Sequence, residues 1–205
     1  VLVAAEGGVE NQAAERVRGI LSNFPEMELA MVAAPELRHI HRRMEQVGMG
    51  ALASCATLNG YGAIRNLGIL AASIFGHDTV IFMSDDVVVD RPDFLERALF
   101  GIGAQTPNGG LVTAKTGYYF DAEGERLARP DKRWYRSNWN KAASFNAYLK
   151  PALEGPRLSR ANTASASCLV LHAETFGSVS FDPWITRGED TDYVINCRMY
   201  HQDVW

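Results

Sequence analysis

The chain has 205 residues, 47% of them hydrophobic and 21% charged, which suits one α/β domain with a sizeable core and excludes a disordered chain. A formal net charge of −4 offers no basic face for nucleic acid, and no apolar run reaches the roughly 18 residues that a membrane span needs. Cys55, Cys168 and Cys197 lie far apart with no CxxC spacing, so they read as buried thiols in a reducing compartment and not as a disulfide framework. No signal-peptide pattern opens the chain. A cytoplasmic location is expected, with peripheral attachment to a membrane as the second option. Both ends read as cut: the chain starts inside the apolar run "VLVAA" without a methionine and stops at "HQDVW", which looks like the first residues of a strand. A piece of a longer protein is expected.

"VLVAAEGG" predicts a short strand, and residues 10–24 a helix with Ala14, Val17, Ile20 and Leu21 at helical spacing. "MELAMVAAP" predicts a second strand closed by Pro35, residues 36–50 a helix stopped by glycine, and residues 50–58 a short strand. Residues 60–76 form an apolar helix, followed by the strand "DTVIFMSDD", whose apolar run is expected to be buried on both faces. Strands alternating with helices predict a mostly parallel central sheet with right-handed crossovers and helices on its faces. Ligands bind such sheets beyond the carboxyl ends of the strands.

The second half alternates less. Residues 91–105 read as a helix, and residues 109–130 as a hairpin turning at Ala122-Glu123-Gly124. Residues 131–167 are polar and aromatic, with a short helix in the middle and long loops on either side. "CLVLHAETFGSV" reads as a strand running into a helical turn. Residues 181–201 read as a loop entering a helix that Thr186 or Gly188 would cap.

Three stretches can carry chemistry. Asp85 and Asp86 end a strand as adjacent like charges, which is costly unless something positive lies close. They are either solvated acids, with Asp90 capping the next helix, or a holder for a divalent cation completed by phosphate oxygens. Arg65 sits in a helix that is apolar around most of its surface and so needs a partner, which Asp86 or a diphosphate bound there would supply. An amphipathic surface arginine is the bland option. Glu189, Asp190 and Asp192 crowd a predicted helix start, as compensation of the helix dipole or with one acid serving as a general base. In residues 133–148, Trp134, Tyr135 and Trp139 offer planes for stacking on a sugar, or a hydrophobic cluster under a loop.

Taken together, "AIRNLGI", "FMSDDVVVDRPDFL" and "FDPWITRGEDTDYVINCRM" resemble, in that order, three motifs of the nucleotide-sugar glycosyltransferases of the GT-A fold, most closely the family 2-type group. These are its Arg-Asn helix start, its Asp-x-Asp strand end and its Gly-Glu-Asp helix. The resemblance runs in order through residues 1–205, and only these stretches are specific. It implies one catalytic domain over 1–205, with a Rossmann-like nucleotide-sugar-binding half at 1–100 and an acceptor-binding half at 101–205.

The resemblance also implies roles. Asp86 would hold the metal, Mn²⁺ or Mg²⁺, with Asp85 beside it. Ser84 and Asp85 would contact the nucleotide, and Arg65 the diphosphate. Asp190 would be the general base, with Glu189 its neighbour on the acceptor side. Two departures stand out. Ser84 replaces the first aspartate of the motif, and the first two strands lack the usual base-reading residues. The expected reaction is transfer of a hexose from a UDP- or GDP-sugar to an acceptor sugar, lipid-linked saccharide or small molecule. Attack opposite the leaving group would invert the anomeric carbon; retention needs another arrangement. A nucleotidyltransferase is the alternative among enzymes, although "AAEGGVENQ" lacks the lysine its phosphate loop would need. A non-catalytic nucleotide-sugar or carbohydrate-binding relative is the alternative outside them.

Overall fold

The computed structural model of the chain describes residues 1–5, 8–106, 109–129, 140–165 and 167–205. The chain divides into two compact units, Val1–Gly76 with Phe181–Glu189, and His77–Ser180 with Asp190–Trp205.

The first unit is built from helices α1 (Glu10–Leu21), α2 (Ala34–Gln46) and α3 (Tyr61–Phe75). Pro35 lies in the first turn of α2, where its missing N–H is no loss, so it opens the helix as well as closing the segment before it. The two expected strands meet in a single parallel bridge, Leu2 with Val32. The Val3 N–H donates to the Val32 carbonyl and the Val32 N–H to the Val1 carbonyl, both at 2.9 Å. Residues Gly50–Cys55 form a 3₁₀ helix in place of the expected strand. The run Gly-Ala-Leu-Ala-Ser-Cys has no β-branched residue to favour a pleated chain. It packs against α2 and α3, and a His41 ring nitrogen reaches the Ala56 carbonyl at 2.8 Å just beyond it.

The second unit holds β1 (Thr79–Met83), α4 (Phe94–Leu99), β2 (Ala114–Thr116), α5 (Lys141–Glu154), β3 (Cys168–His172) and α6 (Ala173–Phe176). Helix α7 (Glu189–Met199) follows, its first residue belonging to the first unit. The sheet order is β1-β3-β2, and both pairings are antiparallel. Thr79 faces His172 and Met83 faces Cys168; Ala114 faces Leu171. Val204 makes a parallel bridge to Ala114, which gives "HQDVW" the extended character expected of it.

The mostly parallel central sheet of a GT-A-type domain, and the Rossmann-like half that goes with it, is corrected by this topology. Among the described residues the sheet is small, three-stranded and antiparallel. Alternation of strands and helices implies a parallel sheet only when consecutive strands become neighbours through a crossover. Here β1 pairs with β3, which arrives much later in the chain and runs the opposite way. Among the described residues the first two extended segments bridge only to each other. Position in the sheet also decides burial. Central β3 buries Leu169, Val170 and Leu171 almost completely, whereas edge strand β1 is half-buried along its length and Met83 is exposed. The apolar run in β1 therefore does not mark a strand covered on both faces.

Tyr193, Val194, Cys197 and Val204 complete the core of this unit, with Thr175 donating a buried hydroxyl bond to Thr113 at 2.7 Å. The expected hairpin contributes only Ala114–Thr116 to the sheet. Its turn does close, the Asp121 N–H donating to the Glu125 carbonyl at 2.9 Å, without a ladder between its arms among the described residues. Helix α5 is longer than expected and is capped by Asn140, whose side-chain oxygen accepts the Ala143 N–H at 2.9 Å. Trp134, Tyr135 and Trp139 lie outside the described residues.

Candidate functional site

Two of the three motif stretches meet within the first unit. Asn66, on α3, binds Phe181 in both directions: its Nδ2 donates to the Phe181 carbonyl and its Oδ1 accepts the Phe181 N–H, each at 2.9 Å. The same Nδ2 donates to the Cys55 carbonyl at 2.9 Å. One turn earlier, Gly62 lets the 181–189 segment lie against the helix, because a Cβ there would run into the Asp182 carbonyl oxygen. Arg65 then takes the far end of that segment. Its Nη1 donates to Glu189 at 2.7 Å and to the Tyr61 carbonyl at 2.9 Å, and the guanidinium lies over the Phe181 ring. Both members of the ion pair are close to fully buried, with side-chain exposures of 12% and 9%. The charge in the apolar helix does have a partner, and that partner is Glu189. Gly188 stands just before α7 at φ 85, a conformation that strains any residue with a Cβ.

The second unit carries the other candidates. Ser84, Asp85 and Asp86 leave β1 in a turn closed by the Val87 N–H to the Ser84 carbonyl at 3.2 Å. The Ser84 hydroxyl donates to the Ser167 hydroxyl at 3.3 Å. Asp85 and Asp86 are exposed. Among the described residues no group of three or more His, Cys, Asp or Glu side chains is placed to hold a metal ion. Two exposed adjacent carboxylates suit an ion that arrives with a diphosphate and fills its other positions with phosphate and water. They do not suit an ion held by protein ligands alone. Asp90 does not start the next helix; Asp93 does, and its carboxylate is bound by Arg91 at 2.9 Å and Arg97 at 2.6 Å, which holds it well below the usual carboxylate range.

Asp190 is half-buried and borders a cavity of about 550 Å³ that lies within the second unit. Tyr118, Phe145 and Tyr148 give that cavity apolar planes, and Thr163, Ser165 and Lys141 give it polar edges. The size and mixture fit a small organic ligand. Burial pushes the Tyr148 hydroxyl up, its bond to the Thr163 carbonyl at 2.9 Å opposes this, and the nearby Asp190 charge adds to the rise. The Asp190 carboxylate accepts the N–H of its own neighbour Thr191 at 2.8 Å, which leaves acceptor capacity in hand. Asp192, the third acid, accepts from Asn196 at 2.8 Å.

Sequence reasoning singled out Arg65, Ser84, Asp85, Asp86, Glu189 and Asp190. It passed over Asn66, although an amide inside an apolar helix is as much in need of partners as an arginine there. Tyr148 closes the aromatic stretch 133–148 that reads as able to stack on a sugar, and Tyr118 carried no signal; the place of both beside Asp190 depends on tertiary packing. No protein-family model, no curated protein and no solved structure matches the chain. Among the described residues no helix is long and apolar enough to cross a membrane.

Proposed function

We propose that the chain is a glycosyltransferase that moves a hexose from a UDP- or GDP-sugar to an acceptor hydroxyl, with Asp190 as the general base. The observation that carries this is the contrast between two adjacent acids. Glu189 is committed to a buried pair with Arg65. Asp190 faces a cavity whose aromatic planes and hydroxyls suit a sugar or similar acceptor. A carboxylate there can take the proton of the acceptor hydroxyl as the oxygen attacks the anomeric carbon, and attack opposite the diphosphate inverts that carbon.

On the donor side, Asp86 and Asp85 would hold the divalent ion, Mn²⁺ or Mg²⁺, that comes with the donor. Such an ion offsets the charge that develops on the leaving diphosphate. Ser84 can offer its hydroxyl to the ribose. The exposure of Asp85 and Asp86 favours a second reading, binding of a nucleotide sugar without turnover.

The test is a screen of UDP- and GDP-sugars with and without Mn²⁺, read by thermal shift and by release of free nucleoside diphosphate. A ligand bound by the native state alone raises the melting temperature. The transferase reading expects a metal-dependent shift with at least one donor, together with slow donor hydrolysis. A shift without hydrolysis or transfer to any saccharide acceptor supports the binding-only reading. No shift with any donor overturns both.

A further inference from the structure

A second cavity in the second unit, of about 450 Å³, carries a cluster of cations that the reading above does not use. Arg91, Arg97, Lys115, Arg126 and Arg157 line it, and no carboxylate does among the described residues. Asp93 binds Arg91 and Arg97 from outside the lining, so the cavity keeps an excess of positive charge even after that acid is set against them. The chain as a whole carries −4, which makes this local surplus a feature of placement and not of composition.

The other three cations, Lys115, Arg126 and Arg157, are held in place by groups that cannot neutralise them. The Lys115 ammonium donates to two carbonyls, those of Arg97 at 2.6 Å and Phe100 at 2.9 Å, and has one N–H left. Arg157 lies 3.5 Å from the centre of the Phe100 ring, and Arg126 lies 4.9 Å from that of Phe120. Stacking fixes a guanidinium plane and leaves its edge donors free. Among the described residues neither arginine pairs with a carboxylate. Burial lowers the Lys115 ammonium, the Cys168 thiol opposes this, and the Arg157 charge lowers it further. An anion would relieve that repulsion. A single carboxylate would leave most of the surplus standing, whereas a phosphate brings more charge and several acceptor oxygens to match guanidinium edges.

We propose that this cavity binds the phosphate of an organic phosphate, with the aromatic walls covering the carbon skeleton next to it. The source is either a small sugar phosphate in solution or a phospholipid headgroup, and the shared chemistry is a phosphate monoester or diphosphate. The cavity shares Gly117, Tyr118 and Arg126 with the one that Asp190 borders. The inference does not rest on the transferase reading, because it concerns binding alone.

The test is titration calorimetry in EDTA, so that no ion can link phosphate to Asp85 and Asp86. The probes are pyrophosphate and glucose 1-phosphate, with flotation on phosphatidylcholine vesicles with and without phosphatidic acid as the lipid arm. Wild-type protein and an Arg126→Ala/Arg157→Ala double variant are compared after thermal unfolding confirms that both are folded. Both arginines are exposed, so the variant is expected to fold. Binding of one soluble probe per chain, weakened about ten- to a hundredfold in the variant, supports the site with a soluble ligand. Phosphatidic-acid-dependent flotation lost in the variant, with no soluble binding, supports it with a lipid headgroup. No saturable binding of any probe, or binding of equal strength in the two proteins, overturns it.

Discussion

At the start of α3, Arg65 is paired with Glu189 and Asn66 is bonded to Cys55 and Phe181; at the end of β1, Asp85 and Asp86 are exposed. Both places draw attention in the sequence for the same reason, charge or polarity beside an apolar run. In the first, the polar groups are needed to hold the 181–189 segment against a helix. Burial makes them structural whatever else they do. In the second, no bond to the side chain of either acid is made among the described residues, so a role for them beyond solvation would come from a ligand. Polar residues that the fold consumes should report on stability, and polar residues that it leaves open should report on binding.

The largest stability effect expected is for Arg65→Ala. It strands Glu189, which is only 7% exposed, without its counter-charge, and breaking a buried pair from one side typically costs about 3–5 kcal/mol. Urea unfolding measures it. A loss under about 1 kcal/mol would mean that the pair is solvated and that the contrast with Asp86 fails. Next come Asn66→Ala, which removes the amide that binds the Phe181 N–H and the carbonyls of Cys55 and Phe181, and Gly62→Ala, which forces the Asp182 carbonyl to move. Each is expected to cost about 1–3 kcal/mol on the same assay.

Alkaline pH probes the core of the second unit. Burial pushes the Cys197 thiol up to about 12, with its bond to Tyr193 opposing, and burial raises the Tyr193 hydroxyl as well. Above the ordinary thiol range of about 8.5 the unfolded chain releases this proton while the folded chain keeps it. Their contribution is therefore full below about pH 8.5 and falls as pH climbs towards 12. Urea midpoints taken from pH 8 to pH 11 should drop, and less steeply in Cys197→Ala than in the wild type. Equal slopes in the two proteins would count against a buried, protonated thiol. The smallest stability effect is expected for Asp86→Asn, within about 0.5 kcal/mol of wild type. The same variant should lose metal-dependent binding of a nucleoside diphosphate. A variant that is destabilised, or that binds as before, would place Asp86 on the wrong side of the comparison.

The sequence was most legible where local physics decides. Helical spacing located α1, an apolar stretch opened by glycines located α3, and the apolar runs located β1 and β3. It was misleading where partners decide. The alternation in residues 1–86 cannot say that β1 will pair with β3 in antiparallel register, since that pairing is settled by a strand beginning at Cys168. Nor can a run of Val-Ile-Phe-Met distinguish a central strand from an edge one. At the candidate site, Arg65 and the acids around residue 190 were legible as charges needing an explanation. Which acid pairs with Arg65 was not, because Glu189 and Asp190 are neighbours in sequence and only the fold turns one to Arg65 and the other to a cavity. The aromatic stretch ending at Tyr148 was legible as a stacking surface, but the place of Tyr148 beside Asp190 was not, for the same reason.

That division of labour between Glu189 and Asp190 is the central claim, and Asp190→Asn tests it most directly. The change keeps the shape of the side chain and removes its basicity. Transfer rate and donor affinity are measured on one sample of the variant. Loss of a positioned base typically lowers the rate about a hundred- to ten-thousandfold, and donor affinity should stay near that of the wild type. A variant that turns over near the normal rate, or that loses donor binding in step with rate, would contradict the assignment.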